Sequence, residues 1–387
     1  MKELLSKRVV SLAPSGIRKF FDIVSDIPDA VSLGVGEPDF DTPWHIREEG
    51  IRTLKDGKTF YSSNAGITEL RRAISDYLRR SLKNTYDWQH EILVTVGGSE
   101  AIDIALRTIL NDGDEVICPE PCFVSYVPCI VMANGVPVRI PLCEKNEFRL
   151  TREELEAAVT PKTKALLISF PNNPTGAVMS RRDLEAVAAV AQEHNLIVIS
   201  DEIYSELTYE EPHTSIASLP GMRDRTIVIN GFSKAYAMTG WRLGYAAASH
   251  EIMEQMLKLH QFAIMCAPTV SQYAAVEALI NGDDDVAEMR ISYNQRRNYL
   301  YHELQRLNLP CFKPQGAFYM FPCIKEFGMT SEEFALKLLD AEQLAVVPGS
   351  AFGSSGEGYL RLSYAYSIQE LKEAVRRLEN FITKLRG

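Results

Sequence analysis

The chain has 387 residues, 46% hydrophobic and 24% charged, with 41 basic against 51 acidic side chains and a net charge of −10. That length holds roughly two to three domains' worth of core, and an acidic balance without a dense basic stripe argues against nucleic acid as a partner. No apolar run reaches the ~20 residues of a membrane span, residues 1–8 lack the apolar stretch of a signal peptide, and the seven cysteines form no CxxC metal pair, which fits reduced thiols in a cytoplasmic protein.

In chain order, the first clear strand is 92–96, followed by a helical run over 99–110. Strands follow at 115–118, 136–140 and 165–170, a helix at 180–194, strands at 196–200 and 226–230, and a helical run over about 250–278. The strands are short, rich in Ile, Val and Leu, and lack strict polar alternation, which predicts a parallel sheet buried on both faces. With helices between them, the class is α/β: a mostly parallel sheet covered on both faces. Beyond about residue 285 the pattern changes to helix 287–307, strand 316–321, helix 331–341, strands 345–348 and 359–363, and helix 367–385. This predicts a smaller α+β domain. The expected division is 1–44 as an N-terminal arm and part of the small domain, 45–285 as the large domain, and 286–387 as the remainder of the small one.

In an open parallel sheet, ligands bind beyond the carboxyl ends of the strands. Four expected strands end in chemically distinct segments: Gly97-Gly98-Ser99-Glu100, Pro171-Asn172-Asn173-Pro174-Thr175-Gly176, Asp201-Glu202-Ile203-Tyr204 and Ser233-Lys234. A lysine at the exit of a buried strand is shielded from water, which favours the neutral amine that forms a Schiff base with an aldehyde; taken alone it also reads as a solvated loop lysine. Ser233 and Arg242, eight positions beyond Lys234, are suited to a phosphate. Gly97-Gly98-Ser99 opens a helix, whose N-terminal N–H groups attract an anion, or it is a plain tight turn capped by Ser99. Asp201 is placed to pair with a protonated ring nitrogen or to act as a surface cap. Tyr204 lies on the same face as Asp201 if the segment turns helically, and reads either as a donor to a phenolate oxygen or as a core tyrosine. The Asn172–Gly176 amides read as ligand contacts or as a bare turn. Arg361, flanked by Leu360 and Leu362, either binds a carboxylate through its planar fork or points outward.

Together these motifs resemble the fold-type I, class I aminotransferases that use pyridoxal phosphate. The likeness extends over about residues 10 to 385, through Gly34-Val35-Gly36-Glu37-Pro38-Asp39-Phe40, Tyr61-Ser62-Ser63-Asn64-Ala65-Gly66, Gly316-Ala317-Phe318-Tyr319 and Pro348-Gly349-Ser350-Ala351-Phe352-Gly353. Ser15-Gly16-Ile17-Arg18-Lys19-Phe20 and Asp201-Glu202-Ile203-Tyr204-Ser205-Glu206-Leu207 are most similar to the branch holding bacterial aminotransferase A and archaeal aromatic aminotransferases. The resemblance implies roles. Lys234 would carry the cofactor as a Schiff base and shuttle the proton, Asp201 would pair with the pyridinium nitrogen, and Tyr204 and Asn173 would bond the 3′-oxygen. Phe123 would stack on the ring, and Gly98, Ser99, Glu100, Ser233 and Arg242 would hold the phosphate. Tyr61 would reach the phosphate of a partner subunit in a homodimer. Arg361, Asn173 and Gly36 would bind the substrate α-carboxylate. No metal is expected.

The implied activity moves an amino group from an L-amino acid to a 2-oxo acid in amino-acid metabolism or biosynthesis. A lyase on the same scaffold, such as a carbon–sulfur lyase, shares most of these residues. A non-catalytic regulator would need a DNA-binding module, for which only about 30 residues precede Gly34. Residues 261–272 contain no Lys or Arg, and Ser99 stands where some aspartate-using relatives carry lysine. Both features predict a neutral, aromatic or long donor side chain over aspartate.

Overall fold

The computed structural model describes residues 4–14, 16 and 30–387. Most of the 15–20 motif therefore lies outside the described residues. In chain order the strands are β1 (Val31–Ser32), β2 (Ile92–Thr95), β3 (Glu115–Glu120), β4 (Val136–Pro141), β5 (Thr163–Ser169), β6 (Ile197–Asp201), β7 (Thr226–Gly231), β8 (Gly244–Ala247), β9 (Tyr319–Met320), β10 (Leu344–Ala345), β11 (Val347–Pro348) and β12 (Leu360–Ser363). The main sheet has the order β2-β8-β7-β6-β5-β3-β4. Only β8 runs against its neighbours in it; the other pairings are parallel.

Period-2 alternation in the strands sorts the core into two sides. On one side, Leu93, Val116, Cys118, Ala165, Leu167, Ile199, Ile227, Ile229 and Ala246 pack with the helices Gly97–Ile109, Tyr126–Met132 and His250–Ala263. On the other, Ile117, Leu166, Ile168 and Val198 pack with the helix Arg181–Glu193, while Ile92, Val94, Val228, Tyr245 and Ala247 pack with Thr68–Ser81 and Thr269–Asn281. The α/β sheet covered on both faces is thus present. Helix starts are fixed locally: Ser180 with Asp183 and Ser367 with Glu370 form reciprocal capping boxes. A fourth cluster joins Leu33, Tyr204, Leu207 and Ala237 to residues from Met289 to Ile382, around the antiparallel sheet β11-β12-β9 and the parallel pair β1-β10.

Several local expectations are corrected. The 250–278 run is two helices, His250–Ala263 and Thr269–Asn281. Pro268 caps the second, because inside a helix its ring would clash and its missing N–H would break the ladder; Met265 takes a left-handed turn between them. The strand 345–348 is two strands with different partners: β10 pairs with β1, and β11 pairs with β12. β8 is absent from the expected elements because Gly244-Tyr245-Ala246-Ala247 is poor in β-forming residues. Its glycine is required by close packing, since a Cβ at Gly244 would lie 2.7 Å from the backbone of Gly97 and Gly98. The structure also adds the helices Trp44–Lys55, Thr68–Ser81, Tyr126–Met132 and Arg152–Ala158.

Candidate active site

The carboxyl ends of β2, β5, β6 and β7 carry the segments that the sequence singles out, and they open on one cavity of about 350 Å³. Gly36, Gly98, Ser99, Phe123, Asn173, Asp201, Tyr204, Ser233, Lys234, Arg242 and Arg361 all line it. The volume falls in the usual range for small-molecule sites. Parallel register brings the parts together, because Asp201 at the end of β6 lies opposite Ser169 of β5 and Ile229 of β7.

Lys234 is half-buried and donates its Nζ to the Gly36 carbonyl at 2.6 Å. Burial, with the positive charges of Arg361 and Arg242, brings its amine down to about 8 against the opposing pull of Glu37 and Asp201. Asp201 is buried, accepts from the Tyr126 hydroxyl at 2.7 Å through Oδ2, and accepts from the Ile203 N–H at 3.2 Å through Oδ1. Burial pushes its carboxyl up to about 6, although both hydrogen bonds act the other way. Among the described residues no cation lies within ion-pair distance of it.

A second corner of the cavity is built for an anion. Gly98 and Ser99 lie in the first turn of the helix Gly97–Ile109, whose first N–H groups have no partner within the helix. Gly97 has φ +72°, and a Cβ there would lie 2.8 Å from Arg242 Nη2, so the glycine lets the guanidinium come close to the helix start. Arg242, itself left-handed at φ 52°, donates Nη1 to the Thr239 carbonyl at 3.1 Å. Glu100 is placed differently from the other phosphate candidates. Its carboxylate turns from the cavity to the Val96 N–H and to His260 Nδ1, both at 2.5 Å. Only its backbone N–H remains to face an anion.

The third corner holds Arg361, which is 2% exposed; the outward-facing reading is therefore excluded. Its Nη1 donates to Asn173 Oδ1 at 3.0 Å and its Nη2 to the Gly34 carbonyl at 2.5 Å, while its Nε is buried without a partner. A buried guanidinium that lines the cavity and has only two of its five N–H donors engaged, both by neutral acceptors, is suited to a carboxylate. Next to it the Tyr204 and Tyr319 hydroxyls are 2.7 Å apart.

Tyr61 is not brought to this cavity. It is 82% exposed, as is Phe60 beside it. Among the lining residues to which the sequence assigns no role, Tyr126 and Tyr319 make the hydrogen bonds described above. Tyr126 follows Phe123 by three, the spacing of one helical face, and that was the available signal for it. Tyr319 lies inside a recognised motif, but its contacts to Tyr204 come from distant parts of the chain and leave no local mark.

Comparison with known proteins gives this geometry a family. The profile described as Aminotransferase class I and II matches residues 28–378. The putative aminotransferase YugH of Bacillus subtilis is 53% identical, over 99% of this chain and 100% of that protein. An aspartate aminotransferase of Pyrococcus abyssi is 49% identical over 98% of each chain. The crystal structure of an aromatic aminotransferase from Pyrococcus horikoshii superposes with a TM-score of 0.91 at 46% identity, covering 96% of this chain and 99% of that one. The chain belongs to the class I and II aminotransferase family, whose enzymes depend on pyridoxal phosphate, and it is a transaminase acting on amino acids and 2-oxo acids. The cavity fits that cofactor: an amine of lowered basicity for its aldehyde, a buried carboxylate without a cation for its ring nitrogen, and a helix start beside Arg242 for its phosphate.

Proposed function

We propose that this transaminase uses Lys234, Asp201 and Arg361 as its central working groups, and that it prefers donors with neutral, aromatic or long side chains over aspartate. The observation that carries the preference is the set of cations lining the cavity. Among the described residues they are Lys234, Arg242 and Arg361. Each has a task at the amine, the phosphate or the α-carboxylate, which leaves none for a second carboxylate. The P. abyssi relative named for aspartate and the P. horikoshii structure named for aromatic substrates bracket this choice. A panel of amino donors with 2-oxoglutarate as acceptor tests it: kcat/KM is expected to be highest for neutral or aromatic donors, and a wide margin in favour of aspartate overturns the preference.

Pyridoxal phosphate, when bound, supplies the electron sink for charge developing at the donor's Cα. The protein supplies position, protons and field. With its amine near 8, roughly a tenth of Lys234 is neutral at pH 7, enough to take and return a proton as a general base. Asp201 stays mostly ionised at pH 7 and favours a protonated ring nitrogen opposite it, with Tyr126 and the Ile203 N–H fixing its orientation. Arg361 offers its fork to the α-carboxylate. Asn173, holding Nη1 through Oδ1, keeps its amide N–H groups for ligand oxygens. This orientation of the donor would decide whether the proton or the carboxylate is lost from Cα. Phe123 would stack on the ring, and Tyr204 and Asn173 would hold its phenolate oxygen. Gly98, Ser99, the Glu100 backbone, Ser233 and Arg242 would hold the phosphate.

We further read the protein as a cytoplasmic homodimer of biosynthetic amino-acid metabolism. Phe60, Tyr61 and Phe262 are 82%, 82% and 92% exposed. Hydrogen bonds from Thr269 to the Phe60 carbonyl and from Asn64 to the Met265 carbonyl hold their segments side by side. An apolar patch of this kind marks an interface, which would carry Tyr61 to the neighbour's phosphate. The seven free cysteines fit a reducing compartment. Among the described residues no helix is long and apolar enough to cross a membrane. The division into 1–44 with 286–387 and 45–285 is favoured by the pairing of β1 with β10, which ties the N-terminal segment to the C-terminal third.

A further inference from the structure

We propose that Tyr319 is a positioning residue that ties the cofactor contact of Tyr204 to the carboxylate contact of Arg361, its hydroxyl serving the first and its ring the second. This rests on the reading in which Tyr204 and Arg361 hold cofactor and substrate.

Tyr319 stands at the meeting of three segments distant in sequence. Its strand β9 pairs with β12, which places it opposite Ser363, two residues beyond Arg361. Its hydroxyl is 2.7 Å from that of Tyr204. The Arg361 guanidinium carbon lies 4.5 Å from the centre of its ring. A Cβ at Gly36 would be 2.6 Å from the Tyr319 hydroxyl, so the absence of a side chain there makes room for it. The same Gly36 offers its carbonyl to Lys234. Tyr319 is 1% exposed, and no other side chain bonds its hydroxyl among the described residues.

Hydrogen-bond stoichiometry gives the hydroxyl its task. A phenol has one proton. Burial pushes both phenols up, so each is protonated at neutral pH. When Tyr204 donates to a ligand oxygen, its proton is committed, and the contact to Tyr319 is satisfied only by Tyr319 donating in turn. Tyr319 thereby fixes the Tyr204 rotor toward the cavity. Without that donor, Tyr204 has no buried partner to set its direction. The ring does separate work. The Arg361 side chain is held by two neutral acceptors, and the electron-rich Tyr319 face adds attraction to the cation and limits its tilt. One residue therefore sets both the direction of a cofactor contact and the plane of the carboxylate fork.

The test compares Tyr319→Phe, Tyr319→Leu, Tyr204→Phe and the double Phe variant, reading pyridoxal phosphate affinity by equilibrium dialysis and steady-state kcat and KM for the preferred donor. Tyr319→Phe is expected to weaken cofactor binding about five- to tenfold, the scale of one hydrogen bond, with KM within about twofold of wild type. In a Tyr204→Phe background it should add less than twofold, because the contact it serves is already gone. Tyr319→Leu should show the same cofactor loss and raise KM about tenfold through the missing ring. The inference is overturned if Tyr204→Phe weakens cofactor binding while Tyr319→Phe does not, if the two Phe effects add in full, or if Tyr319→Leu leaves KM unchanged. If Tyr204→Phe alone has no effect, the placement of Tyr204 at the cofactor falls, and this inference falls with it. Should the Leu variant not fold, judged by its melting curve, the two Phe substitutions still decide the hydroxyl's part.

Discussion

The middle of the main sheet and the cavity at its carboxyl rim follow opposite rules. In the middle, Val198, Ile199, Ile227 and Val228 are fully buried among aliphatic neighbours, and every change of face has a matching helix. At the rim the chain buries Asp201, two residues beyond Ile199, with no cation at ion-pair distance among the described residues, brings the amine of Lys234, three residues past the end of β7, down to about 8, and faces Arg361 of β12, whose guanidinium is held by neutral acceptors. The middle holds the fold together. The rim keeps polar groups desolvated and incompletely paired, which costs stability and leaves them available to a ligand.

The largest expected effect is at the rim. Lys234→Ala should lower transamination by at least ~10²–10⁴-fold, the value of a positioned acid–base group, and abolish the visible absorbance of the lysine-bound cofactor. Its melting temperature without cofactor should stay at or above that of wild type. Turnover near wild type would end the central assignment.

Asp201→Asn separates the two roles of the rim most sharply. Losing the carboxylate should lower kcat by ~10²–10³-fold, as for other preorganised electrostatic groups. The same change should stabilise the cofactor-free fold. The folded carboxyl near 6 lies above its unfolded value, so the folded state binds more protons between about pH 4 and 6. Its contribution is most favourable below that window and is lost as pH rises through 6. The variant should therefore melt higher than wild type at pH 7.5, with the gap closing toward pH 4. Equal melting at both pH values would show that Asp201 carries no such cost.

In the middle of the sheet, Ile199→Ala should do the reverse. Ile199 is fully buried, and truncation leaves a cavity worth ~2–5 kcal/mol of stability in denaturant titration, while kcat of the folded fraction stays within a few-fold. A large loss of kcat without loss of stability would break the separation between the two regions. The smallest effect belongs to the exposed patch. Tyr61→Phe should weaken pyridoxal phosphate binding by ~0.5–3 kcal/mol, the range for a hydrogen bond to a charged group or an unmet partner. Mixing Lys234→Ala with a Tyr61 variant at a pyridoxal phosphate concentration at which neither is active alone should, under subunit exchange, restore part of the activity through one intact hybrid site. A fully active monomer in sedimentation would remove the shared-site arrangement.

The strands of the main sheet from β2 to β7 are legible in the chain as short apolar runs, all but the edge strand β4 largely buried, and Lys234, Asp201, Tyr204, Asn173, Arg242 and Arg361 stand out because each sits in a motif at a strand end or inside an apolar strand. The rest depends on the tertiary fold. β8 enters the sheet because Gly244 can pack against Gly97 and Gly98, a steric fact set by residues far away in the chain. Glu100 is withdrawn from the cavity by His260, 160 positions along. Tyr126 and Tyr319 acquire their parts only when a helix meets Asp201 and a short strand brings a hydroxyl to Tyr204. The division has one physical cause. Burial periodicity and strand-end chemistry are properties of neighbours along the chain, whereas hydrogen-bond partners, desolvation and the lowered amine of Lys234 are properties of neighbours in space.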